Sequence, residues 1–516
     1  MAATCLVCGA RADSYEHLFP AVLGGRQKTG RIYCGTHNRR YGALVAEIER
    51  QLEPLNAQLG VVSDNRREDG PQATMVAVPG LDTAVSLSTE KALLQTPVTD
   101  AVEVITGGAD GGEELGERRD MRVTNQRQKD LWVAEQRRAQ RNVHIVGQGE
   151  PGTTVLPSRI SKGTDFGGLR ASAGMAYIAQ TYLAWLYPEL ARDVAFRPFI
   201  QFTHAETQLA RVELDAAFQA SRRAKGEALK PGTTPVTEVD VAEAQRARDV
   251  AQRALPAEVA VSWGLVDGWQ DRPNAFAFGH RVVIGMDATD GLVYAQVSLF
   301  STLHYRIAFG HSTAVTESRE VCIDINPLER RQPHDQLRTD LTGSAHRFDA
   351  TMRAVIPPQA ELQAAVTALG QRMHGHVVRE ISRAAVAAVE SAATGEPAHD
   401  AQLLRVLAKQ LEQLVWNLIN RHVEQRRGHL AAAGRSGDAS MLASLFAFQA
   451  TAASGMTPYA SQLLAIATSE LAVHLQADHV ARTLTADRLE ALLLGSAGEL
   501  MIATAISPSL NSLVGE

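Results

Sequence analysis

Cys5-Leu6-Val7-Cys8 and Cys34-Gly35-Thr36-His37 constrain this chain more than anything else in it. Three of its four cysteines fall in these two short spacings, and a thiolate or imidazole pair two residues apart is what a knuckle turn needs to aim both side chains at one ion. The pattern predicts a tetrahedron of Cys5, Cys8, Cys34 and His37 around Zn²⁺, structural in role because four protein ligands leave no open position. His37 has an alternative, as a solvent-exposed histidine with water completing the shell. A disulfide is the competing reading of the thiols, but three clustered cysteines leave one over, and an imidazole at the fourth corner suits a metal better. So small a segment has too little core to fold without a staple. Cys322, alone in Val321-Cys322-Ile323, is expected as a small core residue.

The stretch between Cys8 and Cys34 is long enough for two short strands and a loop. From Asn38 onward Tyr41, Leu44, Val45, Ile48, Leu52 and Leu55 recur at helical spacing, so a helix with one packing face is expected. Asn38 then falls in its first turn, at the positive end of the helix dipole.

Glu16-His17-Leu18-Phe19-Pro20, Leu23-Gly24-Gly25 and Cys34-Gly35-Thr36-His37-Asn38-Arg39-Arg40 together resemble the HNH, or His-metal finger, endonucleases, in particular the subgroup stabilised by paired zinc knuckles. The likeness covers about residues 5 to 42. It implies a ββα-metal finger over residues 1–58 and a metal-dependent endonuclease acting on DNA. His17 would be the base that activates water, while Glu16 and Asn38 would hold one Mg²⁺ or Mn²⁺ through oxygen donors. Arg26, Lys28, Arg39 and Arg40 become candidates for phosphate contacts. Adjacent residues on a strand point to opposite faces, so bringing Glu16 and His17 to one site requires a bulge or twist. The chain departs from the family pattern in three places: His37 stands where cysteine is more frequent, Glu16 where aspartate is common, and no asparagine lies between Arg26 and Tyr33. The alternative is a zinc-finger nucleic-acid-binding or interaction protein that does not cut.

A chain of 516 residues, 45 % hydrophobic and 21 % charged, has material for several buried cores. Its net charge of −6 excludes a general nucleic-acid sponge, although residues 1–50 carry more basic than acidic side chains. The lack of an apolar run at the start and the thiols placed for zinc set the expectation of a cytoplasmic protein.

Beyond the finger, residues 59–97 read as short strands and turns, 102–106 as a further strand, and 107–112 as a glycine-rich loop. Residues 117–142 read as a basic helix, either a second DNA contact or a solvated face. A linker over 147–168 precedes an apolar core helix at 169–190, and 205–254 predicts two charged helices in a hairpin. Residues 257–325 alternate with period two, and Asp290-Gly291 marks a β-hairpin. His280, His304 and His311 fall in this region without any ligand spacing and are expected to be packed or exposed. Residues 357–513 read as helix throughout. The stretch 439–469 has no charged residue but is broken at Gly455-Met456-Thr457-Pro458, which favours a buried helix pair or an oligomer interface over a membrane span. No phosphate-binding or dinucleotide loop appears. The fold class expected is α+β multidomain: a ββα-metal zinc finger at 1–58, a β-rich region with a basic helix at 59–165, an α+β region at 166–345 and an all-α region at 346–516. A nuclease finger joined to so long a sensing or assembly region would suit restriction or antiphage defence, by analogy of architecture.

Overall fold

The computed structural model describes the chain except residues 1–2, 65–71, 79–83, 89–91, 95–97, 106–115, 123–125, 139–165, 225–232, 257–258, 265–271, 329–335, 344–358, 448, 450–454 and 516. In chain order the elements begin with β1 (Glu16–His17), β2 (Lys28–Thr29), α1 (Gly35–Leu59), β3 (Thr74–Ala77), β4 (Ala84–Leu87), β5 (Ala92–Leu94), β6 (Val98–Ile105), β7 (Gly116–Arg122) and α2 (Gln126–Arg138). There follow α3 (Gly168–Leu186), α4 (Arg197–Ala224), α5 (Glu238–Arg253), β8 (Ala260–Gly264), β9 (His280–Asp287), β10 (Leu292–Leu299), β11 (Leu303–His311), β12 (Arg319–Ile325) and β13 (Gln336–Thr342). The carboxyl-terminal part is helical: α6 (Gln359–Ala392), α7 (Pro397–Gln410), α8 (Glu412–Ala432), α9 (Ser436–Leu445), α10 (Pro458–Val480), α11 (Ala486–Leu494) and α12 (Ser496–Val514). The class is mixed α+β, as expected.

Contacts divide the chain into two compact units. One comprises Met1–Thr74, Ser88–Lys91 and Gly163–Gly370; the other comprises Met75–Leu87, Ala92–Lys162 and Gln371–Glu516. These limits differ from the boundaries expected at 58, 165 and 345. The amino-terminal segment is not free-standing, because α1 packs on α3 and α4. The loop glycines also seat it on the sheet: His280 Nε2 donates to Leu23 O at 3.0 Å, and a Cβ on Gly24, at φ +84°, would come within 2.7 Å of Pro327. Only glycine accepts both that backbone angle and that approach.

The first unit is built on a six-stranded antiparallel sheet in the order β13-β12-β9-β10-β11-β8. The Asp290-Gly291 turn joins β9 to β10 as the sequence predicts, with Leu292 opposite Asp287 and Gly291 at φ +77°. Alternation along the strands gives the sheet one apolar side, with Val282, Ile284, Ala295, Val297, Tyr305, Ile307, Val321 and Ile323. Helix α3, apolar and buried along most of its length, lies against β8, β9, β10 and β11, and the ring of Phe166 just before it meets Trp263 edge-on. The opposite side is buried too and mixes polar groups with a small apolar cluster of Val283 and Cys322, against which Leu341 packs. There Arg281 forms a two-point ion pair with Asp324, at 2.6 and 3.0 Å, and Tyr294 donates to Glu320. The three sheet histidines go separate ways, as expected: His280 stacks on Phe19 and meets Phe300 at a tilt, His304 meets Ser298, and His311 meets the carbonyl of Asp290. Helices α4 and α5 form the expected hairpin, started on the α5 side by a capping box between Thr237 and Asp240.

In the second unit, Leu404, Ile419, Leu463, Leu471, Ile502 and Ile506 belong to one buried cluster shared among helices α6 to α12. The uncharged stretch 439–469 contributes α9 and the first half of α10, whose Leu463, Leu464 and Ala467 are buried, so the reading as core helices is the one the fold follows. Among the described residues no single helix is long and apolar enough to cross a membrane. The pair α11 and α12 passes only together, bent by 58°, and its Leu489, Ile502 and Leu510 sit in the core cluster. Residues 117–142, expected as one basic helix, divide instead. β7 pairs antiparallel with β6, with Val102 opposite Arg119, and α2 follows. A ready partner strand overrides helix propensity here. The loop at 107–112, residues 139–142 and most of the 147–168 linker lie outside the described residues.

The Arg281 and Asp324 pair gives a direct test of this packing. Arg281→Ala leaves a buried carboxylate without its counter-charge, so stability is expected to fall by about 3–5 kcal/mol. The readout is a lower urea midpoint with an unchanged denaturant slope.

Candidate metal centre and the hairpin beside it

Cys5 and Cys8 are carried on a tight turn closed by Gly9 N–H to Cys5 O at 2.9 Å, with Gly9 at φ +71°. Cys34 caps the amino end of α1, and His37 follows within its first turn. Leu6 N–H to Ile32 O, at 2.9 Å, ties the two knuckles together. The four ligand atoms all lie within 4.8 Å of one another. Cys8 Sγ is 3.9 Å from Cys34 Sγ, and His37 Nδ1 is 3.6 Å from Cys5 Sγ and 3.2 Å from Cys34 Sγ. A tetrahedral zinc with ordinary bond lengths needs ligand separations of about 3.5–3.8 Å, so the cluster can hold that ion with little movement. Burial pushes the Cys5 thiol up. Burial also acts to raise Cys34, but hydrogen bonds from the His37 backbone and from Cys5 outweigh it and hold that thiol below its ordinary range. Burial, with the charge of Arg40, keeps His37 neutral, as a ligand must be. The edge of the His37 ring meets His204 on α4 at 4.9 Å, a neighbour for which the sequence carries no signal.

Between the knuckles, β1 and β2 pair without a break in register, Glu16 opposite Thr29 and His17 opposite Lys28. The bulge needed to bring Glu16 and His17 to one face is absent, and the two side chains diverge. Glu16 is buried, 8 % exposed, and its Oε1 accepts from Tyr177 Oη of α3 at 2.5 Å. Around it lies a tyrosine cluster: the ring of Tyr41 stacks on Tyr177 at 4.5 Å, and Gln180 Nε2 donates to Tyr33 and Tyr41 at 3.1 Å. Burial pushes the Glu16 carboxyl up to about 7, against the pull of the Tyr177 bond, and its buried Oε2 has no hydrogen-bond partner among the described residues.

His17 faces the other way and is partly exposed. Its Nε2 lies 3.0 Å from Asp64 Oδ2, and Lys28 Nζ reaches the same oxygen at 3.0 Å. Asp64 arrives there because α1 ends at Gly60, φ +71°, where the chain turns back, and because Val61 and Val62 are buried. No motif marks this aspartate. Asn38 donates through Nδ2 to Ser14 Oγ at 2.7 Å and to Tyr15 O at 2.8 Å, bracing α1 against the residues before β1.

The expected pair for Mg²⁺ or Mn²⁺, Glu16 and Asn38, therefore does not fit that ion in this arrangement. A hard cation that keeps its waters needs an accessible anionic oxygen, whereas Glu16 is enclosed, bonded to Tyr177 and prone to protonation. Arg26, a candidate for phosphate, is 3 % exposed and donates to Asn326 O, so it belongs to the interior. Lys28 and Arg39 are exposed and Arg40 is half-buried. Comparison with protein-family models, curated proteins and solved structures finds no match to this chain.

Two outcomes follow from this geometry. The purified chain should carry about one zinc per molecule, and Cys34→Ser should release it and lower the melting temperature, measured by elemental analysis and calorimetry. The raised carboxyl of Glu16 means that the folded state holds its proton more tightly than the unfolded chain does. Its contribution to stability is therefore full below about pH 4.5 and is lost as pH rises through about 7. Glu16→Gln has no such proton to lose. Relative to this variant, wild type should lose about 2–3 kcal/mol between pH 5 and pH 8 in urea titrations.

Proposed function

We propose that residues 3–64 form a zinc-stapled ββα-metal finger of the HNH kind and that the protein is an endonuclease hydrolysing DNA phosphodiesters. The observation that carries the reading is a partly exposed imidazole, His17, on the hairpin held between a zinc-sized Cys₃His cluster and the helix that follows it. In its neutral form an imidazole can take a proton from the attacking water. Arg39 and Arg40, at the amino end of α1, supply positive charge for the phosphate where the helix dipole already favours it. A divalent cation, where one bound, would supply charge to the departing 3′ oxygen. Glu16 and Asn38 do not fit it as folded, so no part of the reaction is assigned to them.

The second reading, a finger that grips nucleic acid without cutting it, is favoured by one specific observation, the enclosure of Glu16 by Tyr177. The two are separated by incubating supercoiled plasmid with wild type and His17→Ala, each with Mg²⁺, with Mn²⁺ and with EDTA. Nicking or linearisation by wild type is expected in metal only, with a drop of about 10²–10⁴-fold in His17→Ala and no loss of the DNA shift. A shift without any cleavage by wild type supports the second reading.

A further inference from the structure

We infer that Asp64 is the positioning residue for His17, fixing its imidazole as the Nε2–H tautomer so that the lone pair lies on Nδ1, with Lys28 as counter-charge. The catalytic half of this inference rests on the endonuclease reading; the tautomer half does not. A carboxylate oxygen only accepts, so at 3.0 Å from Asp64 Oδ2 the His17 Nε2 must be the donor. The side chain of Asp64 is 5 % exposed, which strengthens the bond. Lys28 Nζ, 3.0 Å from the same oxygen, supplies a counter-charge to the buried carboxylate.

In the reaction, Nδ1 would take a proton from water as the water oxygen bonds to phosphorus. The bond from phosphorus to the 3′ oxygen breaks, its electron pair leaves with that oxygen, and solvent protonates it. The positive charge that forms on His17 appears beside the Asp64 carboxylate, which holds it without taking up the proton. The blander role for Asp64 is an ion pair with Lys28 that pins the turn after α1, and this would leave the His17 tautomer indifferent to it.

The experiment uses the full chain labelled with ¹⁵N-histidine, as wild type, Asp64→Asn and Asp64→Glu, with His17→Gln to assign the ring signals. Zinc content and circular dichroism exclude misfolding. Wild-type His17 should show one Nε2–H tautomer and Asp64→Asn a mixture. Plasmid cleavage should fall about 10–100-fold in Asp64→Asn with the DNA shift retained, and Asp64→Glu should recover part of the loss. An unchanged tautomer in Asp64→Asn overturns the inference, as does an unchanged rate. If wild type does not cleave at all, the endonuclease reading falls, and the ring-nitrogen signals alone decide whether Asp64 sets the tautomer.

Discussion

The two-residue period of a β-strand decides what the amino-terminal segment can do. On β1, Glu16 and His17 are neighbours in sequence and therefore opposites in space, one turned to the tyrosines of the interior and the other to Asp64 and Lys28. With no bulge to relieve the alternation, a carboxylate and an imidazole that sit side by side in the chain do not share a site. The chemistry of the hairpin is consequently that of an imidazole with a buried acidic partner. Glu16 instead joins a hydrogen-bonded network with Tyr177, where burial favours its protonated form.

The rest of the segment keeps that hairpin in place. Cys5, Cys8, Cys34 and His37 close one end, Asn38 braces the first turn of α1 against Ser14 and Tyr15, and the Gly24 turn seats the loop where β9 begins and just past the end of β12. A short hairpin has little stability of its own in water. Here it is held by the Cys₃His cluster on one side and a buried sheet and helix layer on the other, so that His17 has a fixed outlook while β1 remains only two residues long.

What could be read in the sequence was local. The Cys/His spacing, the helix after Asn38, the Asp290-Gly291 hairpin and the helical carboxyl-terminal third all depend on residues close together in the chain. What escaped depends on residues brought together from far away. Tyr177 meets Glu16 across 161 positions, and Asn326 meets Arg26 across 300. Asp64 reaches His17 only because of a left-handed glycine and two buried valines, and the basic segment at 116–122 became a strand because β6 offered it a ladder. Spacing names the residues that can do chemistry; tertiary packing decides which of them face the same space. No sequence pattern said that Glu16 would be enclosed, since that outcome depends on which helix covers β1.

The most direct test is a crystal structure of the full chain with a short DNA duplex and Ca²⁺. The account predicts a backbone phosphate against the exposed side of His17, the bond from Nε2 to Asp64 kept, and zinc bound by Cys5, Cys8, Cys34 and His37. Duplex bound away from His17, or Glu16 withdrawn from Tyr177 to ligate the ion beside Asn38, would contradict it.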